Sequence, residues 1–154
     1  MTRVSYEDTL TRSKPVKSLT HGGLRGSGRA HGRISTRHKG GGVKRLFRDV
    51  DFLMNKRGVP ARIASIEYDP YRSAFIGLLN YADGERRYVV MPGGIKVGQT
   101  ILIAENAPAT AGNRLTLRNV PIGTFVYNVE LKPNGGGKIA RSAGNFVEVI
   151  AQDA

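Results

Sequence analysis

Across residues 43–103, short apolar runs alternate with turn signals at intervals of roughly 8 to 12 residues, the pattern of a small all-β barrel or sandwich. No helix is required. Leu46, Val50 and Phe52 share one parity and predict a first strand. Residues 55–60 read as a loop ending in a proline, and residues 63–68 as a second strand, followed by the turn Asp69-Pro70-Tyr71-Arg72. Residues 75–81 and 86–91, joined through Asp83-Gly84, predict a hairpin, because Asp-Gly suits a type I′ turn. Pro92-Gly93-Gly94 interrupts the chain, and residues 95–103 predict a fifth strand. Five strands with a basic loop at one end suit an OB-like barrel, a common oligonucleotide-binding scaffold, but the count also suits other small barrels.

Residues 104–112, with Pro108 among small side chains, read as a linker to a second pattern over 113–154. There Phe125, Tyr127, Val129 and Leu131 alternate with Val126, Asn128 and Glu130, which predicts a half-buried strand. A loop with Gly135, Gly136 and Gly137 follows, and residues 146–151 predict another short strand. Two or three strands do not close a barrel, and Phe146, Val147, Val149 and Ile150 would leave an apolar edge open. The second unit is therefore expected to be incomplete, finished by another polypeptide or covered by RNA and neighbouring proteins.

Charge changes the picture of the first part of the chain. The 154 residues carry 24 Lys and Arg against 12 acids, a net charge of +12 and a pI of about 10.5, so the natural partner is a polyanion. Residues 1–57 hold 14 basic and 4 acidic side chains, whereas 58–154 hold 10 and 8. Residues 12–48 contain eleven Lys or Arg and no acid, and eight glycines fall within 22–42. With little to bury, residues 1–42 are expected to form an extended arm that orders only on entering folded RNA. Its glycines let the backbone approach phosphates, and Arg25, Arg29, Arg33 and Arg37 are spaced to fork onto phosphate oxygens.

Other chemistries find little support. No apolar run is long enough to span a membrane, and the absence of cysteine excludes a disulfide framework and thiolate metal sites. Arg3 and Arg12 with nearby hydroxyls resemble a transit peptide, but Glu7, Asp8 and Pro15 argue against one. His21, His31 and His38 lie in the arm without acids to orient them. Gly135-Gly136-Gly137-Lys138 resembles a phosphate-binding loop only superficially, since Lys132 stands where its first glycine belongs and Ile139 where a hydroxyl should follow. No catalytic residue, metal, cofactor, small-molecule substrate or membrane partner is expected.

Several longer words narrow the reading. Lys14-Pro15-Val16-Lys17, Gly32-Arg33-Ile34, Arg37-His38-Lys39-Gly40-Gly41-Gly42 and Lys44-Arg45 occur in the arm. Ile66-Glu67-Tyr68-Asp69-Pro70, Arg72-Ser73-Ala74, Tyr81-Ala82-Asp83-Gly84-Glu85, Asn128-Val129-Glu130-Leu131-Lys132-Pro133 and Ala140-Arg141-Ser142-Ala143-Gly144 occur in the body. In this order they resemble the N-terminal half of the bacterial-type large-subunit ribosomal protein family L-two. The resemblance implies an OB-fold domain followed by an SH3-like barrel, a structural role in translation, and docking on large-subunit rRNA near the peptidyl-transferase region and the subunit interface, beside neighbouring ribosomal proteins. It implies RNA contacts at Arg33, Arg37, His38, Lys39, Lys44, Arg45, Arg72, Arg86, Arg87 and Arg141. Arg25, Arg29, Gly40, Gly41, Gly42, Arg48, Lys56, Arg57 and Lys138 complete the candidate set.

The chain departs from the family pattern in places. Val43 replaces a histidine after the glycine triplet, Leu53 and Met54 replace a basic pair for which Lys56 and Arg57 stand close by, and Tyr127 replaces a histidine. Family members continue for about as long again, so a separate chain carrying the C-terminal half is expected. That circumstance suits an organelle, with a mitochondrial ribosome the first choice and the bacterial cytoplasm the alternative. The competing function is a free OB-type factor that stacks single-stranded RNA on Tyr68, Tyr71, Phe75, Tyr81 and Tyr88. Most of those rings are read as core or rim.

Overall fold

The computed structural model describes residues 6, 8–11, 14–22, 28–40 and 43–152. Its described residues are all-β apart from two single 3-10 turns, Lys17–Leu19 and Leu117–Asn119. In chain order the strands are β1 (Thr20–Gly22), β2 (Arg29–Ala30), β3 (Arg33–Ile34), β4 (Leu46–Arg48), β5 (Ala61–Glu67), β6 (Ile76–Tyr81), β7 (Arg86–Val90), β8 (Thr100–Ile101), β9 (Phe125–Val126), β10 (Val129–Glu130), β11 (Gly137–Ile139) and β12 (Val147–Glu148).

The centre is an antiparallel sheet ordered β7-β6-β5-β8 that curls into a half-barrel. Strand β6 is apolar on both faces, which is why its burial does not alternate. Leu79 and Tyr81 join Ala61, Ile63, Val89, Met91, Ile95, Ile101 and Ile103 on the concave side. Ile76, Leu78 and Tyr88 face the other way. A bulge between Ile63 and Ser65 resets the parity of β5, so that Ile63 and Ile66 both reach the concave core. Each such aliphatic side chain contributes about 1.5–3 kcal/mol on leaving water.

The outer face of the sheet is covered by the segment that charge and composition predict to be extended arm. Val16, Leu19 and Val50 pack on Ile76, Leu78 and Tyr88, and Leu10 packs on the concave cluster. The Val16 N–H donates to the Tyr88 hydroxyl (3.0 Å), which donates to the buried Glu67 carboxylate (3.0 Å), and the Thr11 N–H donates to the Ile66 carbonyl (2.8 Å). Strand β1 pairs with β4, which the chain continues to a bridge between Val50 and Tyr88. The few apolar residues of the arm thus suffice to dock its described first part, because the sheet has a second hydrophobic face to cover.

Other expectations shift in detail. The hairpin β6–β7 forms, but only Gly84 has positive φ (+87°), so its turn is not type I′. The predicted fifth strand shortens to β8 with a bridge at Ile103, because the chain turns at Gly98 (φ +93°). The stretch 104–112 packs rather than dangles: Ala107 is buried, and a Cβ on Gly112 would lie 2.7 Å from Ile95 Cδ1. The long alternating strand of the second unit breaks into β9 and β10 at Asn128 (φ +53°), where the partner changes from β12 to β11. Its expected inward face is overturned at the ends, since Phe125 and Leu131 are exposed while Asn128 is buried.

Candidate nucleic-acid interface

Strands β2 and β3 form a minimal hairpin whose turn residues, His31 and Gly32, both have positive φ. Arg29 lies opposite Ile34 and Ala30 opposite Arg33, so the two arginines leave opposite faces of the ribbon. The Ser35 and Thr36 N–H groups both donate to the Gly28 carbonyl (2.8 and 3.0 Å), which closes the base of the hairpin. Arg33, Arg37, His38, Lys39, Gly40 and Lys44 are all exposed, with His38 and Gly40 in the left-handed region. Arg25, Gly41 and Gly42 lie outside the described residues.

The candidates on the barrel divide by what their charge already meets. Lys56 is held between Asp83 and Glu85, which raise its pKa, Asp83 first, and it lies 4.9 Å from the centre of the Tyr81 ring. Arg87 pairs with Glu85 (2.6 Å) and Asp51 (2.8 Å), and these hydrogen bonds raise its pKa further. Arg72 pairs with the fully buried Asp69. Arg57 meets Asn134 (2.7 Å) and, at 3.6 Å, Glu105. An RNA phosphate would have to share these four cations with carboxylates or an amide.

The rest keep their charge uncompensated. Among the described residues, Arg45, Arg48, Arg86, Lys138 and Arg141 make no ion pair; Arg45 reaches the Pro70 carbonyl (3.2 Å) and Arg48 the Leu46 carbonyl (2.9 Å). Arg141 stacks on Phe52, with its guanidinium carbon 3.5 Å from the ring centre. An open cleft of about 340 Å³ between β4 and β7 is lined by Phe47, Phe52, Arg72, Arg86 and Arg87 together with the carboxylates of Asp49, Asp51 and Glu85. Charge reasoning overlooked its aromatic wall; the one available sign was Phe47 standing between Arg45 and Arg48.

The five rings considered for base stacking separate in the same way. Tyr81 and Tyr88 are 3% and 0% exposed and belong to the core, and burial raises both phenol pKa values, that of Tyr88 to about 12. Phe75 is half-buried beneath Tyr6, while Tyr68 and Tyr71 are exposed. Tyr127 is half-buried with its pKa pushed up to about 12 by desolvation, and its hydroxyl donates to the Val90 carbonyl (3.3 Å). No group of three or more His, Asp or Glu with metal-binding geometry occurs among the described residues. No helix there is long and apolar enough to cross a membrane.

Residues 16–103 match the family model described as Ribosomal Proteins L2, RNA binding N-terminal domain. Residues 110–154 match that of Ribosomal Proteins L2, C-terminal domain. The first match begins inside the basic arm, in keeping with the packing of Val16 and Leu19 on the sheet. Because both domains are represented in this one chain, the expectation of a separate chain for the second is not supported, and the reason for preferring an organelle goes with it.

Proposed function

Since the chain belongs to the ribosomal protein L2 family, with a structural place in the large ribosomal subunit, we propose that it binds folded large-subunit rRNA near the peptidyl-transferase region and the subunit interface, beside neighbouring ribosomal proteins. The observation that carries this is the separation of charge. Residues 12–48 have no acid, and Arg33, Arg37, Lys39 and Lys44 stand exposed there, while Asp51, Asp69, Asp83 and Glu85 of the barrel are engaged by barrel cations. Exposed cations on an extended segment gain most from a dense array of phosphates, and phosphate contacts position a protein on RNA without reading its sequence. The hairpin β2–β3, with an arginine on each face, suits insertion between two RNA segments.

The test is binding to a folded large-subunit rRNA fragment over a KCl series. If about 6 to 10 phosphates are neutralised, affinity falls some 10³- to 10⁵-fold between 50 and 200 mM salt. Replacing Arg33, Arg37 and Lys44 together by glutamine should reduce the slope of log K against log[salt] by up to about 3. An unchanged slope removes these residues from the interface, and a flat titration of the wild-type protein overturns the reading. Deleting residues 1–42 is a poorer test, because it also removes the strand that pairs with β4 and the cover over Tyr88.

A free single-stranded RNA factor is the less favoured reading. Two of its five stacking rings, Tyr81 and Tyr88, are sealed in the core. Such a factor would prefer short unstructured oligonucleotides over a folded fragment, so competition between the two RNAs distinguishes them.

A further inference from the structure

One group of side chains outside the candidate cations has no evident task in the fold. His21 and Phe47 are cross-strand partners on the β1–β4 ribbon, their rings stacked at 5.7 Å between centroids and 19° between planes. Tyr71 meets Phe47 edge-on at 5.4 Å and 68°. All three are exposed, Phe47 by 38% and Tyr71 by 41%.

The cluster is flanked by a buried carboxylate and two exposed polar contacts. The Tyr71 N–H donates to Asp69 (2.9 Å), a carboxylate with no exposure that also pairs with Arg72. Arg45 ties the same turn to the strand through the Pro70 carbonyl. His21 Nε2 lies 2.8 Å from Asp49 Oδ1, which sets the plane of the imidazole. The turn that carries Tyr71 and the plane of the imidazole are thus set by these contacts, which lowers the ordering cost of binding.

We propose that His21, Phe47 and Tyr71 form a seat for one unstacked nucleobase of the bound RNA, with Arg45, of the same strand parity as Phe47, meeting a flanking phosphate. The inference rests on the RNA-binding reading above. A ring cluster alone would also suit an apolar peptide, but the guanidinium of Arg45 beside it hydrogen-bonds only to the Pro70 carbonyl and has no acid partner among the described residues. An apolar partner would strand that charge, whereas a nucleotide supplies a π face for the rings and a phosphate for the cation. Bases splayed from RNA helices stack on aromatic side chains in this manner.

The test uses the full chain with two probes, an RNA hairpin with a fully paired stem and a short loop of mutually stacked bases, and the same hairpin carrying a single unpaired adenosine in the stem. The bulged hairpin should bind at least about 5-fold more tightly, the low end of the stacking energy of one base. Phe47→Leu, which keeps the bulk and removes the π face, should lose that preference while holding its affinity for the paired hairpin, and Tyr71→Leu should reduce it. The chain has no tryptophan, so Phe47→Trp supplies a lone reporter, which the bulged hairpin should quench and the paired one should not. Equal preference in wild type and Phe47→Leu, no preference in the wild type, or equal quenching by both hairpins would each overturn the base seat. Failure of the wild type to bind either hairpin would instead strike the RNA-binding reading itself.

Discussion

The guanidinium of Arg141 lies 3.5 Å above the centre of the Phe52 ring, fastening a loop of the second unit to the segment that leads into the barrel. The joint has backbone support, since the Gly137 N–H donates to the Phe52 carbonyl (2.9 Å) and Gly136 is packed against Leu53. Arg72 approaches the same ring at 5.4 Å. The two units thus meet on a residue that the alternation of apolar positions assigns to a first strand.

Phe52→Ala should accordingly lower stability by about 1–2 kcal/mol, the sum of lost burial and lost cation–π attraction. Arg141→Ala should cost less, because the side chain is exposed. A double-mutant cycle by urea denaturation should give a coupling of about 0.5–1 kcal/mol between the two. Additive losses would mean that the stacking contributes nothing to the joint.

Gly137→Ala should be more damaging. A Cβ there would sit 2.6 Å from the Asn128 carbonyl oxygen and closer still to its side-chain amide. Asn128 cannot retreat easily, being buried, in the left-handed region, and bonded through its N–H to the Ala140 carbonyl (3.0 Å). The expected cost is about 2–4 kcal/mol by thermal unfolding, with the loss of protection concentrated in β10 and β11 by hydrogen exchange. Gly84→Ala meets open space and should cost only the strain of positive φ, about 1 kcal/mol.

Acid should loosen the β6–β7 turn first. Lys56 hydrogen-bonds to Asp83 and lowers that carboxyl from its ordinary 3.8, and Arg87, then Lys56, lower Glu85 from 4.5. A carboxylate with a depressed folded-state pKa contributes stability that is present above its unfolded value and lost as pH falls through the folded one. Stability should therefore decline on acidification below about pH 4.5, and less steeply in Lys56→Met. Chemical denaturation at a series of pH values measures both slopes; parallel slopes would contradict the linkage.

The alkaline limb tests the dock between the arm and the sheet. Burial holds the Tyr88 phenol neutral up to about 12, against an ordinary 10.0. Its contribution is complete below pH 10 and lost as pH rises through 12, because only the unfolded chain then ionises freely. Tyr88→Phe should abolish this part of the slope. It should also cost about 1–3 kcal/mol at neutral pH, by removing the acceptor of the Val16 N–H and one hydrogen bond to the buried Glu67 carboxylate. Faster amide exchange at Val16 and Leu19 would locate the damage.

The all-β class, the β6–β7 hairpin and the position of β5 were legible in the sequence because each depends on neighbours along the chain. Alternating apolar residues and a glycine at the turn act locally. The same locality explains the misreadings. The break at Asn128 depends on β9 and β10 having different partners, and the loss of most of the fifth strand follows from a turn at Gly98 that neither alternation nor composition separates from a strand interior.

The interface divides along the same line. Net charge and its concentration in residues 12–48 are sums over the sequence, and they determined the class of partner without any coordinates. Which cations remain uncompensated was decided only when the fold brought Lys56 to Asp83, Arg87 to Asp51 and Arg72 to Asp69, while Arg45, Arg86 and Arg141 were left without acids among the described residues. Likewise, His21, Phe47 and Tyr71 are up to 50 positions apart in the chain, and strand pairing and a buried aspartate make them one surface. Attraction to a polyanion is additive over residues; compensation and stacking depend on distances between them, which only the folded chain sets.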